Sequence, residues 1–268
     1  MNRQLETTLA AAKAENRAAL VGYLPAGFPT IPGAAKAVQA LIDGGCDVVE
    51  IGLPHSDPVL DGPTIQTADD IALRNGIRTR DVLATVREVT TANPATPVLV
   101  MTYWNPVDRY GAARFAADLA ASGGAGCILP DLPVEEAGPW LAAAEEHGLA
   151  TVFVVAPSSR DERLAKITAS GTGFVYAAAV MGVTGTRSQV GELAEDLVKR
   201  TRATTALPVC VGLGVSTAAQ AAEVAAFADG VIVGSAFVQR LLDAPSEDAG
   251  YAAVRELAAE LAEGVRKR

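Results

Sequence analysis

Cysteines are few in this sequence and basic residues are fewer than acidic ones, and each shortage argues against a class of protein. The three cysteines, Cys46, Cys127 and Cys210, are far apart and odd in number, so they predict neither a disulfide framework nor a cysteine metal site. The net charge of −9 at pH 7 argues against nucleic acid as a main partner, because phosphate backbones are bound by clustered Lys and Arg. An anionic small molecule is compatible with this charge, since one site can be locally positive.

Long apolar runs are missing as well. No uninterrupted run approaches the ~20 residues that a membrane span requires, and residues 1–20 carry charges throughout instead of the apolar segment of a signal peptide. Half of the residues are hydrophobic and a fifth are charged, which provides for a large core. We therefore expect a soluble cytoplasmic protein.

Short β-like runs alternate with amphipathic stretches along the whole chain, as in a parallel α/β fold. We predict eight strands: Leu20–Leu24, Val48–Ile51, Val98–Thr102, Gly126–Leu129, Thr151–Val155, Phe174–Ala177, Val209–Val211 and Gly230–Val233. We predict helices between them: Ile31–Asp43, Thr79–Ala92, Ala112–Ser122, Glu135–His147, Ser159–Ala169, Val190–Thr204 and Thr217–Phe227. Eight βα units favour a (β/α)8 TIM barrel, and a doubly wound sheet is the main alternative.

The two ends of the chain lie outside this repeat. We predict an additional N-terminal helix and a tail helix over Asp248–Arg268, either of which could close the barrel floor or flank the barrel. The absence of an interdomain linker predicts a single TIM-barrel domain over residues 1–268.

The segment Val48–Gln66 carries the most chemistry. Glu50 lies inside an apolar strand, where burial would raise its pKa toward the range of a general acid or base. Asp57 and Asp61 follow on a loop in which prolines restrict the backbone and, we expect, prevent helix formation. Each has a structural alternative: Glu50 could pair with a basic side chain, and both aspartates could be turn residues. His55 could join these carboxylates as a metal ligand, but their spacing matches no known metal motif.

Glycine clusters follow the last three predicted strands. In a barrel, the loops after strands seven and eight often bind phosphate at a short helix N-terminus. Gly214 follows strand seven, and Gly234 and Ser235 follow strand eight, so these three predict a phosphate cradle. Met181–Thr186, after strand six, could be a lid or a simple turn.

Six motifs together identify a resemblance that covers nearly the whole chain. They are Glu50–Pro58, Asp61–Gln66, Pro130–Glu136, Gly182–Gly185, Gly212–Gly214 and Gly234–Ser235. In these segments the sequence resembles the tryptophan synthase α-subunit family. The resemblance implies a (β/α)8 barrel that cleaves indole-3-glycerol phosphate to indole and glyceraldehyde 3-phosphate by a retro-aldol reaction in L-tryptophan biosynthesis. It implies no cofactor and no metal in this chain.

The resemblance also implies a role for each site residue. Glu50 would be the acid/base group with a raised pKa, and Asp61 an ionised, better solvated carboxylate that accepts a hydrogen bond from the indole N–H. The substrate-binding residues would be Tyr23, Tyr176, Thr184, Gly185, Gly214, Gly234 and Ser235.

A partner is implied too. The loop after strand two and the Asp131–Pro133 region would face a β subunit that holds pyridoxal phosphate, in an α2β2 complex. Two departures from the family pattern bear on this contact and on loop closure: His55 replaces a commoner Phe or Tyr, and Ala177–Val180 lacks the usual Ser or basic character.

Other functions stay open on the sequence alone. The chain could be a stand-alone indole-releasing lyase of the same family, another phosphate-binding barrel isomerase or aldolase, or a non-catalytic barrel that activates a partner enzyme. No lysine lies within the predicted strands, which disfavours a Schiff-base aldolase.

Overall fold

A computed structural model describes residues 3–179 and 187–267. It contains nine strands: β1 Ala19–Pro25, β2 Val48–Gly52, β3 Val98–Met101, β4 Gly126–Ile128, β5 Ala150–Val152, β6 Val154–Val155, β7 Val175–Ala178, β8 Val209–Gly212 and β9 Gly230–Val233. All pairings are parallel, in the order β5-β4-β3-β2-β1-β9-β8-β7-β6. The sheet forms a nearly closed barrel surrounded by helices, which confirms the predicted architecture over the doubly wound alternative.

The fifth predicted strand, Thr151–Val155, is two strands in the structure. β5 pairs with β4, whereas β6 pairs with β7. Phe153 lies between them, and its carbonyl accepts a hydrogen bond from the Tyr176 backbone N–H at 3.1 Å. The first half of the predicted strand thus pairs with β4 and the second half pairs with β7. Local sequence does not predict this division, because it depends on pairing with distant strands.

Twelve helices lie in the described ranges: α1 Arg3–Ala14, α2 Ile31–Asp43, α3 Pro63–Arg74, α4 Thr79–Ala92, α5 Trp104–Tyr110, α6 Ala112–Ala121, α7 Gly138–Glu146, α8 Asp161–Ser170, α9 Arg187–Arg202, α10 Ala218–Ala225, α11 Ser235–Asp243 and α12 Glu247–Gly264. None of the helices in this part of the chain is long and apolar enough to cross a membrane.

Three of these helices, α3, α5 and α11, were not predicted. The expectation that prolines keep the segment after Asp61 from becoming helical was wrong at Pro63, which is the first residue of α3. At that position the missing N–H has no intrahelical partner to lose, so proline is favourable there. The predicted helix Glu135–His147 begins later, at Gly138, with Pro139 in its first turn.

The barrel interior has two levels that follow from the period of two in its strands. The lower level is apolar and includes Val48, Leu99 and Phe174, and Leu5 and Leu9 of α1 pack into the same cluster. The N-terminal helix therefore closes the floor of the barrel. Two residues beyond Val48 the same strand face carries Glu50, which places its carboxyl group above this apolar layer.

Candidate active site

A cavity of about 360 Å³ opens at the C-terminal ends of the barrel strands. It is lined by Tyr23, Glu50, Asp61, Gly62, Pro63, Thr64, Ile65, Met101, Tyr176, Gly212, Gly214, Ile232, Gly234 and Ser235. Seven predicted site residues are thus brought together from β1, β2, β7 and the segments after β2, β8 and β9. The other two, Thr184 and Gly185, lie outside the described residues.

Glu50 lies at the base of this cavity and is fully buried. Neither of its carboxyl oxygens has a hydrogen-bond partner among the residues that the structure describes, so the alternative of a structural ion pair is wrong for that part of the chain. Burial raises the pKa of Glu50 to about 8, because desolvation disfavours the charged form. The carboxyl group is therefore mostly protonated at neutral pH and can donate a proton into the cavity.

Asp61 lies at the rim of the cavity and is half-buried. The Tyr103 hydroxyl donates a hydrogen bond to Asp61 Oδ2 at 2.9 Å and accepts one from the Leu60 N–H at 2.9 Å. Burial raises the pKa of Asp61, while the hydrogen bond from Tyr103 opposes that rise. Asp61 is less buried than Glu50, as expected of the better solvated carboxylate, and Tyr103, which follows β3, supplies it with a hydrogen bond.

The two predicted tyrosines line the cavity, Tyr23 from β1 and Tyr176 from β7. Tyr23 is the register partner of Glu50 across the pairing of β1 and β2, and Tyr176 pairs with Cys210 of β8. A Cβ added at Gly212 would lie 2.7 Å from the Tyr176 hydroxyl, so the absence of a side chain there gives the tyrosine its position. Burial raises the pKa of both tyrosines, and both stay neutral donors at physiological pH.

The side of the cavity formed by Gly214, Gly234 and Ser235 is suited to an anion. α11 begins at Ser235, directly after Gly234, and the helix has no side-chain cap, so its first backbone N–H groups are available to a ligand. Gly214 has φ +66°, a conformation that favours glycine. The Ser235 side chain is exposed and adds a hydroxyl group.

Asp57 and His55 lie outside the cavity lining. Asp57 is exposed; Ser56 Oγ donates to its Oδ2 at 2.7 Å, and its own N–H donates to His55 Nδ1 at 3.1 Å. The His55 ring stacks on Tyr103 with centroids 4.6 Å apart. Within residues 3–179 and 187–267, no group of three or more His, Cys, Asp or Glu side chains is arranged to hold a metal ion.

Two polar residues at the site were missed by sequence reasoning. The first is Tyr103, whose hydroxyl donates a hydrogen bond to Asp61. The second is Asp69 of α3, which is buried behind the loop with its Oδ2 3.5 Å from the His55 N–H. Tyr103 follows β3 by two residues, so its place after a barrel strand was a usable signal. Asp69 had no such signal, because the helix that carries it was itself not predicted.

The fold and this cavity define a class of protein. The cavity has a protonated buried carboxyl group, a second carboxylate held by a tyrosine, and an uncapped helix N-terminus on the facing side. This arrangement suits a (β/α)8-barrel enzyme that performs acid/base chemistry on a phosphate ester.

Comparison with known proteins identifies the family. The model of the tryptophan synthase alpha chain family matches residues 9–266. The chain is 72% identical to the tryptophan synthase alpha chain of Streptomyces coelicolor, over 98% of this chain and 96% of that one, and 59% identical to that of Thermobifida fusca, over 98% and 97%. It also resembles a chain of the aminoacrylate-bound tryptophan synthase structure from M. tuberculosis, with TM-score 0.89 and 49% identity over 98% of this chain and 99% of that one.

The chain therefore belongs to the tryptophan synthase alpha chain family. It is a lyase that cleaves indole-3-glycerol phosphate to indole and glyceraldehyde 3-phosphate in tryptophan biosynthesis, and the family works with a beta subunit.

Proposed function

We propose that Glu50 and Asp61 divide the proton and charge work of the cleavage between them. The carbon–carbon bond breaks only if indole C3 gains a proton and the adjacent glycerol hydroxyl loses one. Glu50 serves these proton transfers, and Asp61 accepts the hydrogen bond of the indole N–H and stabilises the positive charge that develops on the ring. The observation that carries this proposal is the fully buried Glu50 carboxyl group, unpartnered within the described residues, in the same cavity as Asp61.

The test is indole release from indole-3-glycerol phosphate by Glu50→Gln and Asp61→Asn. We expect each variant to lose roughly two orders of magnitude or more in kcat, since the amide can neither exchange the proton nor carry the charge. Asp70→Asn is the matched control, because Asp70 is exposed on α3 and pairs with Arg74. Near wild-type turnover in Glu50→Gln would refute the acid/base role.

We infer that Gly214, Gly234 and Ser235 bind the phosphate group, and that Tyr23 and Tyr176 contact the rest of the substrate. The uncapped start of α11 and the left-handed backbone of Gly214 support the cradle. Thr184 and Gly185 belong to this proposal on the family resemblance alone. Calorimetric titration with glycerol 3-phosphate tests the cradle: Ser235→Ala should weaken binding several-fold, whereas Ser170→Ala, at the end of α8, should not.

We further propose that the loop after β2 contacts the β subunit in an α2β2 complex. Val59 is 81% exposed and Leu60 is 37% exposed, an apolar pair on the loop that also carries Asp61, so a partner seated there would act on the site. Analytical ultracentrifugation with the β subunit tests this. Val59→Asp should abolish the complex, and Leu193→Asp, which changes an exposed leucine of α9, should leave it intact.

The chain's own chemistry, as we propose it, needs no cofactor, and pyridoxal phosphate belongs to the β subunit. The acid/base groups in the cavity support this, because they suffice for the proton transfers. Activity of the purified chain should survive dialysis against a chelator and a carbonyl reagent.

We also infer a reducing, cytoplasmic setting, which is supported by three buried cysteines without disulfides. Localisation of a tagged chain would test it.

A further inference from the structure

Asp69 is the second buried carboxyl group at the barrel mouth, and the proposed chemistry does not use it. Its side chain is carried by α3 and only 3% of the residue is exposed. Oδ1 has no hydrogen-bond partner in the described part of the chain, and Oδ2 has only the long 3.5 Å contact with the His55 N–H. An ionised carboxylate in such surroundings costs much more free energy than the protonated form.

The neighbouring ionisable groups add to this cost. Burial and the negative charge of Asp61 raise the pKa of Asp69 to about 7, and the contact with His55 only partly offsets this. Asp69 in turn raises the pKa of Tyr23 and of Tyr103. These groups face Asp69 from β1, from the loop after β2 and from the residues after β3.

The other surroundings of α3 offer Asp69 no described compensating charge. α3 packs against α11 and β1, and Thr64 Oγ1 donates a 3.5 Å hydrogen bond to Gln239 Oε1 of α11. No described hydrogen bond or ion pair joins Asp69 to Arg240 or Asp243 of α11. On α3 itself, the exposed Arg74 pairs with Asp70 at 2.8 Å.

Asp61 is better equipped to carry the charge. It is only half-buried and accepts a 2.9 Å hydrogen bond from Tyr103, whereas Asp69 is buried and has only the long contact with the His55 N–H. The two carboxyl groups therefore ionise in a fixed order, Asp61 first, so that one negative charge lies at the site of the indole N–H.

We propose that Asp69 is a positioning residue that holds a proton while substrate binds, so that the mouth carries the single negative charge of Asp61. This inference rests on the proposed roles of Asp61 and of the phosphate cradle. Its consequence concerns the phosphate ester: when Asp69 loses its proton, a second negative charge lies behind the lining residues Asp61 and Tyr23 and weakens binding of the anion.

The test is the pH dependence of glycerol 3-phosphate affinity, measured by calorimetry on wild type and Asp69→Asn. Asparagine mimics the protonated carboxyl group at every pH. The ratio of the wild-type Kd to the variant Kd should be near one at about pH 5.5 and should rise to about threefold or more at about pH 8. Ionisation of Glu50 and of the ligand affects both proteins and cancels in the ratio.

Two controls separate the effect of the Asp69 charge from other effects of the substitution. Asp70→Asn makes the same change of charge one residue along α3 on an exposed side chain, and its Kd ratio should not vary with pH. Indole, which is uncharged, should bind wild type and Asp69→Asn with a ratio that is independent of pH. If Asp69→Asn does not fold, Asp69→Ser replaces it.

A Kd ratio that stays constant over this range for Asp69→Asn would overturn the inference, as would an equal pH dependence in Asp70→Asn. Failure of the wild type to bind glycerol 3-phosphate at any pH would instead overturn the phosphate cradle, and the inference with it. The two failures are therefore distinguishable.

Discussion

The Tyr103 hydroxyl donates a 2.9 Å hydrogen bond to Asp61 Oδ2 and accepts one from the Leu60 N–H. One side chain from the end of β3 thus fixes both the Asp61 carboxylate and the backbone of the loop that presents it. Because the bond is to the ionisable oxygen of the residue that we propose as the partner of the indole N–H, its loss should affect orientation and charge together.

Replacement of this hydroxyl is the first prediction. Tyr103→Phe should lower kcat/KM for indole release about tenfold, since it removes a hydrogen bond to a charged group and leaves the ring in place. Tyr110→Phe is the control, because Tyr110 makes an equivalent bond of 2.7 Å to Asp118 on the outer helices. Equal effects of the two substitutions would show that the Tyr103 bond has no special role.

The pH profile of activity is the second prediction. Since burial raises the pKa of Glu50 to about 8, the group is protonated at neutral pH and loses its proton above that value. If protonation of indole C3 comes from Glu50, kcat, which is measured with substrate bound, should be level near neutrality and should fall as pH rises through about 8. Initial rates of indole release in overlapping buffers measure this; a level profile to about pH 10 would contradict it.

The third prediction concerns stability. The folded-state pKa of Glu50, about 8, lies above its ordinary value of 4.5, so between these values the folded state binds more protons and the free energy of unfolding decreases as pH rises. Glu50→Gln removes the ionisable group, and with it the free-energy cost of burying a charged carboxylate. It should raise the free energy of unfolding by roughly 2–4 kcal/mol at about pH 8 and by little at about pH 5.

Urea unfolding at the two pH values measures this difference. Glu88→Gln, on an exposed position of α4, is the control and should show no such dependence on pH. A Glu50→Gln variant that is less stable than wild type at about pH 8 would mean that the Glu50 carboxylate has a stabilising partner.

The fourth prediction concerns the position of Tyr176. Gly212→Ala would place a Cβ 2.7 Å from the Tyr176 hydroxyl, so the ring must move within the cavity. We expect a several-fold increase in KM and a loss of about 1–3 kcal/mol in the free energy of unfolding. Gly138→Ala is the control, since a Cβ there has nothing within 4 Å. Unchanged kinetics in Gly212→Ala would show that Tyr176 adapts without cost.

Much of this architecture could be predicted because its signals are local. The alternation of apolar runs and amphipathic segments identified the barrel, and the apolar run around Glu50 predicted that its carboxyl group is buried. The glycines after β8 and β9 line the cavity, as their place after strands predicted, and their role as a phosphate cradle stays a prediction. The helices α3, α5 and α11 were not recognised: α3 and α11 begin directly after loops that had been interpreted as binding segments.

What the sequence alone determined is that Glu50, Tyr176 and the glycines after β8 and β9 lie at the C-terminal ends of barrel strands, since the alternation of strands and helices decides that. What only the tertiary structure decided is the state of those groups. The half-buried Asp61 with its Tyr103 hydrogen bond, the buried Asp69 with one oxygen unpartnered among the described residues, and the position of Tyr176 against Gly212 each depend on residues distant in sequence. Protonation is set by burial and neighbouring charge, and both arise only when the strands close into a barrel.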